Sequence, residues 1–200
     1  MCPFCYIGKR RLEHALQQFP GKDDVNVEWK SFQLDPDSVT QPEKSVNEYL
    51  AERKGWTLEY ARQMNDHVTR MAREVGLHYD FDKAVVANSF DAHRLSHFAK
   101  KHGVQDEMEE RLFRAYFAEG KNTADHETLV QLASEVGLKS DDVRRMLGGN
   151  DFAIDVNNDV YEAHQIGVRG VPFFVFNDTY AVSGAQPTEI FVQALNQATQ

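Results

Sequence analysis

The chain has 200 residues, 42% of them hydrophobic and 26% charged, a composition that supports one substantial core, or a core with a sizeable insertion, and argues against disorder. Its 31 acidic and 22 basic residues leave a net charge of -9, which works against non-specific attraction to nucleic acid and to anionic membrane surfaces. No apolar run approaches the roughly eighteen residues of a membrane span, and the expected compartment is the cytoplasm, where a lone cysteine pair is more often catalytic than structural.

The first predicted element carries both cysteines. Cys2-Pro3-Phe4-Cys5 stands at the mouth of a helix read over Tyr6–Phe19, in which Ile7, Leu12, Ala15, Leu16 and Phe19 fall at helical spacing and Pro20-Gly21 ends the run. Pro3 suits a first-turn position, because its missing N–H has no intrahelical partner there. Val25–Phe32 then alternates apolar and polar residues and predicts a strand with one buried face, broken by Asp35-Pro36-Asp37. From about Ser45 to Gly167 the pattern is helical almost throughout, punctuated by glycines. Helices are predicted over Thr57–Val75, Asp91–Lys101, Asp106–Glu119, His126–Val136, Ser140–Leu147 and Asp151–Gln165, with Ser140 read as a cap. Val171–Phe176 and Thr179–Val182, joined by Asn177-Asp178, predict a β-hairpin, and Pro187 introduces a last helix over Thr188–Ala198.

The cysteine spacing points to redox chemistry. A thiol in the first turn of a helix meets unpaired backbone N–H groups and the positive end of the macrodipole, both of which favour the thiolate. Cys2 is then the outer, attacking sulfur and Cys5, one turn further in, the resolving one. Three plainer readings compete. A structural zinc site of the four-cysteine type needs a second cysteine pair, and there is none. A structural disulfide across two intervening residues closes too short a loop to constrain much of the unfolded chain. Two inert buried thiols would not need a helix start beside them. The reading is a dithiol at work and no metal.

Three segments resemble the DsbA-type thioredoxin-fold family, and within it the FrnE-like branch: Cys2-Pro3-Phe4-Cys5-Tyr6-Ile7-Gly8-Lys9-Arg10, Asn88-Ser89-Phe90-Asp91-Ala92-His93-Arg94-Leu95, and Gly167-Val168-Arg169-Gly170-Val171-Pro172-Phe173-Phe174-Val175. The resemblance covers essentially the whole chain. It implies an α/β, thioredoxin-like fold with a large all-helical insertion: residues 1–40 and 168–200 form a discontinuous thioredoxin-like unit and residues 41–167 the inserted helical domain. It also implies a protein disulfide oxidoreductase that exchanges disulfides through Cys2 and Cys5. Pro172, which the residues alone read as an ordinary trans proline opening a strand, is implied to follow a cis bond and face the sulfurs. Val171, Pro172, Phe4 and His93 are implied substrate contacts, Phe4 as an exposed ring and His93 as a cleft-lining residue. No cofactor is implied, glutathione being a candidate redox partner; the partners are thiol- or disulfide-bearing proteins or small molecules, with no nucleic acid and no membrane.

Family members carry a strand just before the cysteine pair, so the resemblance further predicts a segment of about eight residues ahead of Met1. His93 and His97, one turn apart, either face the site or point to solvent, and Lys9, Arg10 and Arg11 either raise the local potential or form a solvated helix face. Two other functions remain open at this point: a glutathione-dependent isomerase or transferase of the 2-hydroxychromene-2-carboxylate isomerase or kappa-class type, and a non-catalytic binding module whose cysteines sense oxidants.

Overall fold

In the computed structural model, which describes residues 1–199, the dithiol helix is α1, Pro3–Gln18. A short 3-10 turn, Lys22–Asp24, follows. The middle of the chain holds β1 (Gln41–Ser45), α2 (Val46–Lys54), α3 (Leu58–Glu74), β2 (Val85–Val86), α4 (Phe90–Lys101), α5 (Gln105–Phe117), α6 (His126–Glu135), α7 (Ser140–Gly148) and α8 (Ala153–Gln165). The chain then forms β3 (Phe173–Phe176), β4 (Tyr180–Ser183) and α9 (Thr188–Ala198).

Local chemistry explains the boundaries. Ser45 and Glu48 form a capping box at the start of α2, which ends where Gly55 turns left-handed at φ 66°. Thr57 accepts from the Tyr60 N–H to open α3, and Asp125 accepts from the Thr128 N–H to open α6. At α7 the cap differs from expectation: Lys139 holds the cap position without a side-chain bond and Ser140 is already helical. The hairpin turn uses positive φ at both Asn177 and Asp178, 47° and 53°, the geometry whose twist matches the flanking strands. Register in the hairpin runs from Phe173 opposite Ser183 to Phe176 opposite Tyr180.

One predicted strand does not form. Val25–Phe32 joins no ladder among the described residues. Its backbone groups go to side chains instead. The Gln105 amide accepts from the Trp29 N–H at 3.2 Å and donates to the Trp29 carbonyl at 3.1 Å, and the Asp159 carboxylate accepts from the Ser31 N–H at 2.7 Å. The alternation is only partly expressed, since Ser31 is buried and Trp29 half-buried whereas Val27 is exposed, and contact with helices α5 and α8 produces that burial without a sheet. Conversely, β1 and β2 pair antiparallel across a bulge, a ladder the helical pattern concealed.

Three apolar clusters fill the interior. The first gathers α4, α5, α6 and α7 around Leu95, Met108, Leu129 and Met146. A second joins Tyr6 and Ile7 of α1 to Val68 and Ala72 of α3 and to Phe113 and Phe117 of α5. The third packs Ala15 and Phe19 against Val182 of the hairpin and Phe191, Ala194 and Leu195 of α9. Helix α1 therefore belongs to two cores, its first turns to one and its last turns to the other.

Candidate active site

Cys2 is the N-cap of α1, in extended conformation at φ -97° and ψ 120°, and Pro3 occupies the first turn. The Cys5 N–H donates to the Cys2 carbonyl at 3.2 Å, which sets the second sulfur one turn behind the first. Both cysteines are unpaired thiols and half-buried. The Cys2 thiol is drawn down to about 7, first by the hydrogen bond from the Cys5 thiol and then by the Cys5 and Phe4 backbone, against the opposing effect of burial. Cys5 moves the other way, raised by the same hydrogen bond and by burial. The two sulfurs thus have different duties: one ionises near neutrality, the other keeps its proton.

From the far end of the chain comes the loop opposite. The Val171–Pro172 peptide bond is cis, and the Cys2 thiol donates to the Val171 carbonyl at 3.4 Å. The Gly184 N–H pins the Pro172 carbonyl at 2.8 Å, and the Arg11 guanidinium donates to the Ala185 carbonyl. Gly8 makes the approach possible. A Cβ there would lie 3.0 Å from Phe174 Cζ and 3.2 Å from Pro172 Cγ, so only glycine lets α1 come this close without displacing the loop.

The remaining predicted residues are placed as follows. Phe4 is half-buried and packs on the cluster of Tyr6 and Ile7, a wall of the site and not the freely exposed ring expected, because the apolar face beneath it leaves the side chain somewhere better to go. His93 makes no hydrogen bond to either sulfur; burial pushes it down to about 4, helped by the N-terminal ammonium and by His97, so it is uncharged at neutral pH. His97 does not point to solvent. It is buried, and its Nε2 meets both Ser31 Oγ at 3.1 Å and Asp159 Oδ2 at 3.0 Å. Serine and carboxylate share one ring nitrogen, so the trio cannot pass a proton in series as a nucleophilic triad does; it clamps the Val25–Phe32 segment onto α4 and α8. Although His93 and His97 stand at a ligand-like spacing, no group of three or more His, Cys, Asp or Glu among the described residues could hold a metal.

The basic run after the cysteines is neither free charge nor solvated face. Lys9 is buried against Glu13, Asp106 and Glu110, Arg10 pairs with Glu13 and Glu110, and Arg11 ties α1 to the loop after β4. Buried cations need such partners, and the acidic start of α5, Asp106 to Glu110, supplies them.

Sequence reasoning missed three neighbours. The Tyr79 hydroxyl donates to the Pro3 carbonyl at 2.8 Å and its ring stacks on Tyr6. Tyr6 in turn donates to Glu110. Burial pushes Glu109 up to about 7, and its carboxylate adds a smaller upward push on Cys5 behind those of Cys2 and of burial. The acids of α5 had one legible signal, the need of Lys9 and Arg10 for counter-charges; Tyr79 had none.

With this geometry in place, comparison with known proteins is informative. Residues 1–196 match the family model described as DSBA-like thioredoxin domain. The chain is 30% identical over 205 residues to the uncharacterized protein YwbO of Bacillus subtilis, covering 98% of this chain and 92% of that protein. The crystal structure of a probable DsbA oxidoreductase from Streptomyces coelicolor superposes with a TM-score of 0.93 at 40% identity, over 99% of this chain and 86% of that one. A 2-hydroxychromene-2-carboxylate isomerase superposes with a TM-score of 0.70 at 14% identity, over 99% and 91% of the two chains, a likeness of fold alone. The architecture is the DsbA-like thioredoxin fold, helix-rich with small sheets. No helix among the described residues is long and apolar enough to cross a membrane.

Proposed function

The chain belongs to the DSBA-like thioredoxin domain family, and from that premise we propose that it is a thiol–disulfide oxidoreductase in which Cys2 is the exchanging sulfur and Cys5 the resolving one. One observation carries the reading: Cys2 caps a helix, ionises near pH 7, and touches the Val171 carbonyl beside Pro172, while Cys5 donates to it from one turn behind.

In the oxidising direction a substrate thiolate attacks the Cys2 sulfur of the Cys2–Cys5 disulfide. The bond between the two protein sulfurs breaks, a mixed disulfide forms at Cys2, and Cys5 leaves as a thiolate that takes up a proton. A second substrate thiolate then attacks the substrate's own sulfur in the mixed disulfide, and Cys2 departs as the thiolate that its surroundings favour. The substrate has lost two electrons and the protein pair has gained them; run backwards, the same steps reduce a substrate. Val171 presents backbone groups to an extended substrate segment as an added strand would, with Pro172 and Phe4 as walls. Thiol- or disulfide-bearing substrates are the partners, and glutathione is a redox partner that needs no separate site to react at Cys2.

The presence of a second sulfur in hydrogen-bonding reach of the first favours dithiol exchange over chemistry that employs one bound glutathione. Insulin reduction tests it. Cys2→Ser should abolish turnover, and Cys5→Ser should accumulate a substrate adduct at Cys2 visible as added mass. Undiminished turnover in Cys2→Ser refutes the assignment.

A further inference from the structure

The loop that faces Cys2 carries a cation that the protein itself does not use. Both ends of this loop are fixed. At the first, φ of Gly167 is 82°, its N–H donates to the His164 carbonyl at 3.1 Å, the Val168 N–H donates to the Ala163 carbonyl at 2.9 Å, and the Val168 side chain is buried. At the second, the cis bond and the Gly184 N–H hold Pro172. Arg169, Gly170 and Val171 bridge these anchors. Arg169 is exposed and makes no hydrogen bond or ion pair among the described residues. The other cations of α1 and this loop are engaged: Lys9 and Arg10 by carboxylates, Arg11 by the Ala185 carbonyl.

Gly170 is also unexplained from within. Its φ lies outside the left-handed region, and an added Cβ would meet no atom within 4 Å, so neither conformation nor internal packing calls for glycine there, in contrast to Gly8. The bare backbone leaves an open shelf between Arg169 and Val171, whose carbonyl accepts from the Cys2 thiol at 3.4 Å, and glycine at such a place admits the close approach of another molecule. Arg169 and Val171 are two residues apart, at most about 7 Å along the chain. That is inside the roughly 10 Å over which charges are felt in 0.1 M salt. The net charge of -9 is spread over the whole surface and is screened beyond that range, so an acidic protein presents a positive charge on the loop beside its reactive sulfur.

We propose that Arg169 sets the charge preference of the exchange site: it pairs with a carboxylate carried next to the partner's reacting sulfur, so that carboxylate-bearing disulfides and thiols exchange faster than their neutral counterparts. The proposal rests on the dithiol-exchange reading and names the charge class of its substrates. A carboxylate beside a sulfur is found both in glutathione and in a cysteine flanked by an acidic residue, and the loop recognises what the two share.

The test uses one leaving group on matched carriers. Thiopyridyl mixed disulfides are prepared of glutathione, with its carboxylates free or esterified, and of a short peptide in which either aspartate or asparagine adjoins the cysteine. The Cys2 thiolate of the reduced protein attacks the carrier sulfur, a bond to Cys2 forms, and the thiopyridyl sulfur leaves as thiopyridone, read by absorbance. Cys5 then attacks Cys2, releases the carrier thiolate and closes the Cys2–Cys5 disulfide, its proton passing to solvent; the protein has lost the two electrons that the carrier disulfide has gained. The quantity of interest is the ratio of rates, carboxylate carrier over neutral carrier. Arg169→Ala should lower it about threefold, the scale of one exposed charge pair, and Arg169→Glu about tenfold, as repulsion replaces attraction. Raising salt from 0.01 M to 1 M, which shortens the screening length from about 30 Å to about 3 Å, should bring the parent ratio down to that of Arg169→Ala. Lys139→Glu changes net charge equally at the start of α7 and should leave the ratio as it is. A fall with one carrier pair alone supports the proposal and identifies the source of the carboxylate. A ratio unchanged in Arg169→Glu with both pairs, or an equal loss on charged and neutral carriers, overturns it. Retained thiopyridone release in Cys2→Ser overturns the exchange reading instead, so the two failures are distinct.

Discussion

Replacing Gly8 by alanine should weaken the protein, although alanine is the better helix former. In the interior of α1 the exchange gains about 1 kcal/mol from propensity. Against it stands the new methyl group, 3.0 Å from Phe174 Cζ and 3.2 Å from Pro172 Cγ, closer than packed carbons sit, and overpacking of this kind costs about 1–3 kcal/mol. The net is a loss on the order of 1 kcal/mol, or a fall in Tm of about 2–4 °C for a chain of this size. Gly148 is the control: it lies in α7 with nothing within 4 Å of the added carbon, so Gly148→Ala should hold or slightly raise Tm. Because the loop must give by a few tenths of an ångström, Val171 and Pro172 move relative to Cys2, and the rate of disulfide exchange should fall several-fold. Scanning calorimetry of both variants, with thiopyridone release as the rate, measures all of this. If Gly8→Ala behaves like Gly148→Ala and reacts as fast as the parent, the close approach of α1 to the loop is not what the structure describes.

Two further outcomes follow from named contacts. Arg94 is buried, and its guanidinium donates to the carbonyls of Met146, Gly149 and Asp151 at 2.6–2.8 Å, closing the end of α7; Arg94→Ala should cost about 3 kcal/mol or more by removing a buried donor from all three carbonyls, and Arg94→Lys should recover only part of it, because an ammonium cannot fork across several acceptors. Thermal unfolding ranks the three proteins, and equal stability of the lysine variant refutes the role. For Cys2, alkylation by iodoacetamide should rise with pH through a midpoint near 7, since only the thiolate reacts and it predominates above its pKa. Cys5→Ala removes the hydrogen bond that contributes most to that lowering, so the midpoint should move to higher pH; a midpoint that stays put or falls contradicts the assigned cause.

Much of this architecture could be read from residues alone, and the failures share a cause. The helices of the middle segment announce themselves by apolar period and glycine stops, and the hairpin by aromatic and β-branched runs around Asn177-Asp178; such signals are local. What period cannot reveal is the identity of the surface that a segment packs on. Val25–Phe32 has the alternation of a strand, yet Gln105 and Asp159, over seventy residues away in sequence, satisfy its backbone. Lys9 looks like one more exposed base until α5 brings two carboxylates, Asp106 and Glu110, to join Glu13 around it. At the site the two cysteines were legible because their chemistry depends on spacing, whereas Tyr79 and Glu109 matter only through where the fold puts them. Ser31, His97 and Asp159 illustrate the converse: a suggestive set of residue types whose geometry, two partners on one nitrogen, removes the chemistry the types suggest.

Because α1 is held at one end by the cluster around Phe113 and at the other by the hairpin and α9, it acts as a rigid strut between two masses. The reactive sulfur rides on the end of that strut, so a change of packing in either cluster is felt at the sulfur. Presentation of that sulfur to an incoming partner is then a property of both cores as much as of the acidity of one thiol.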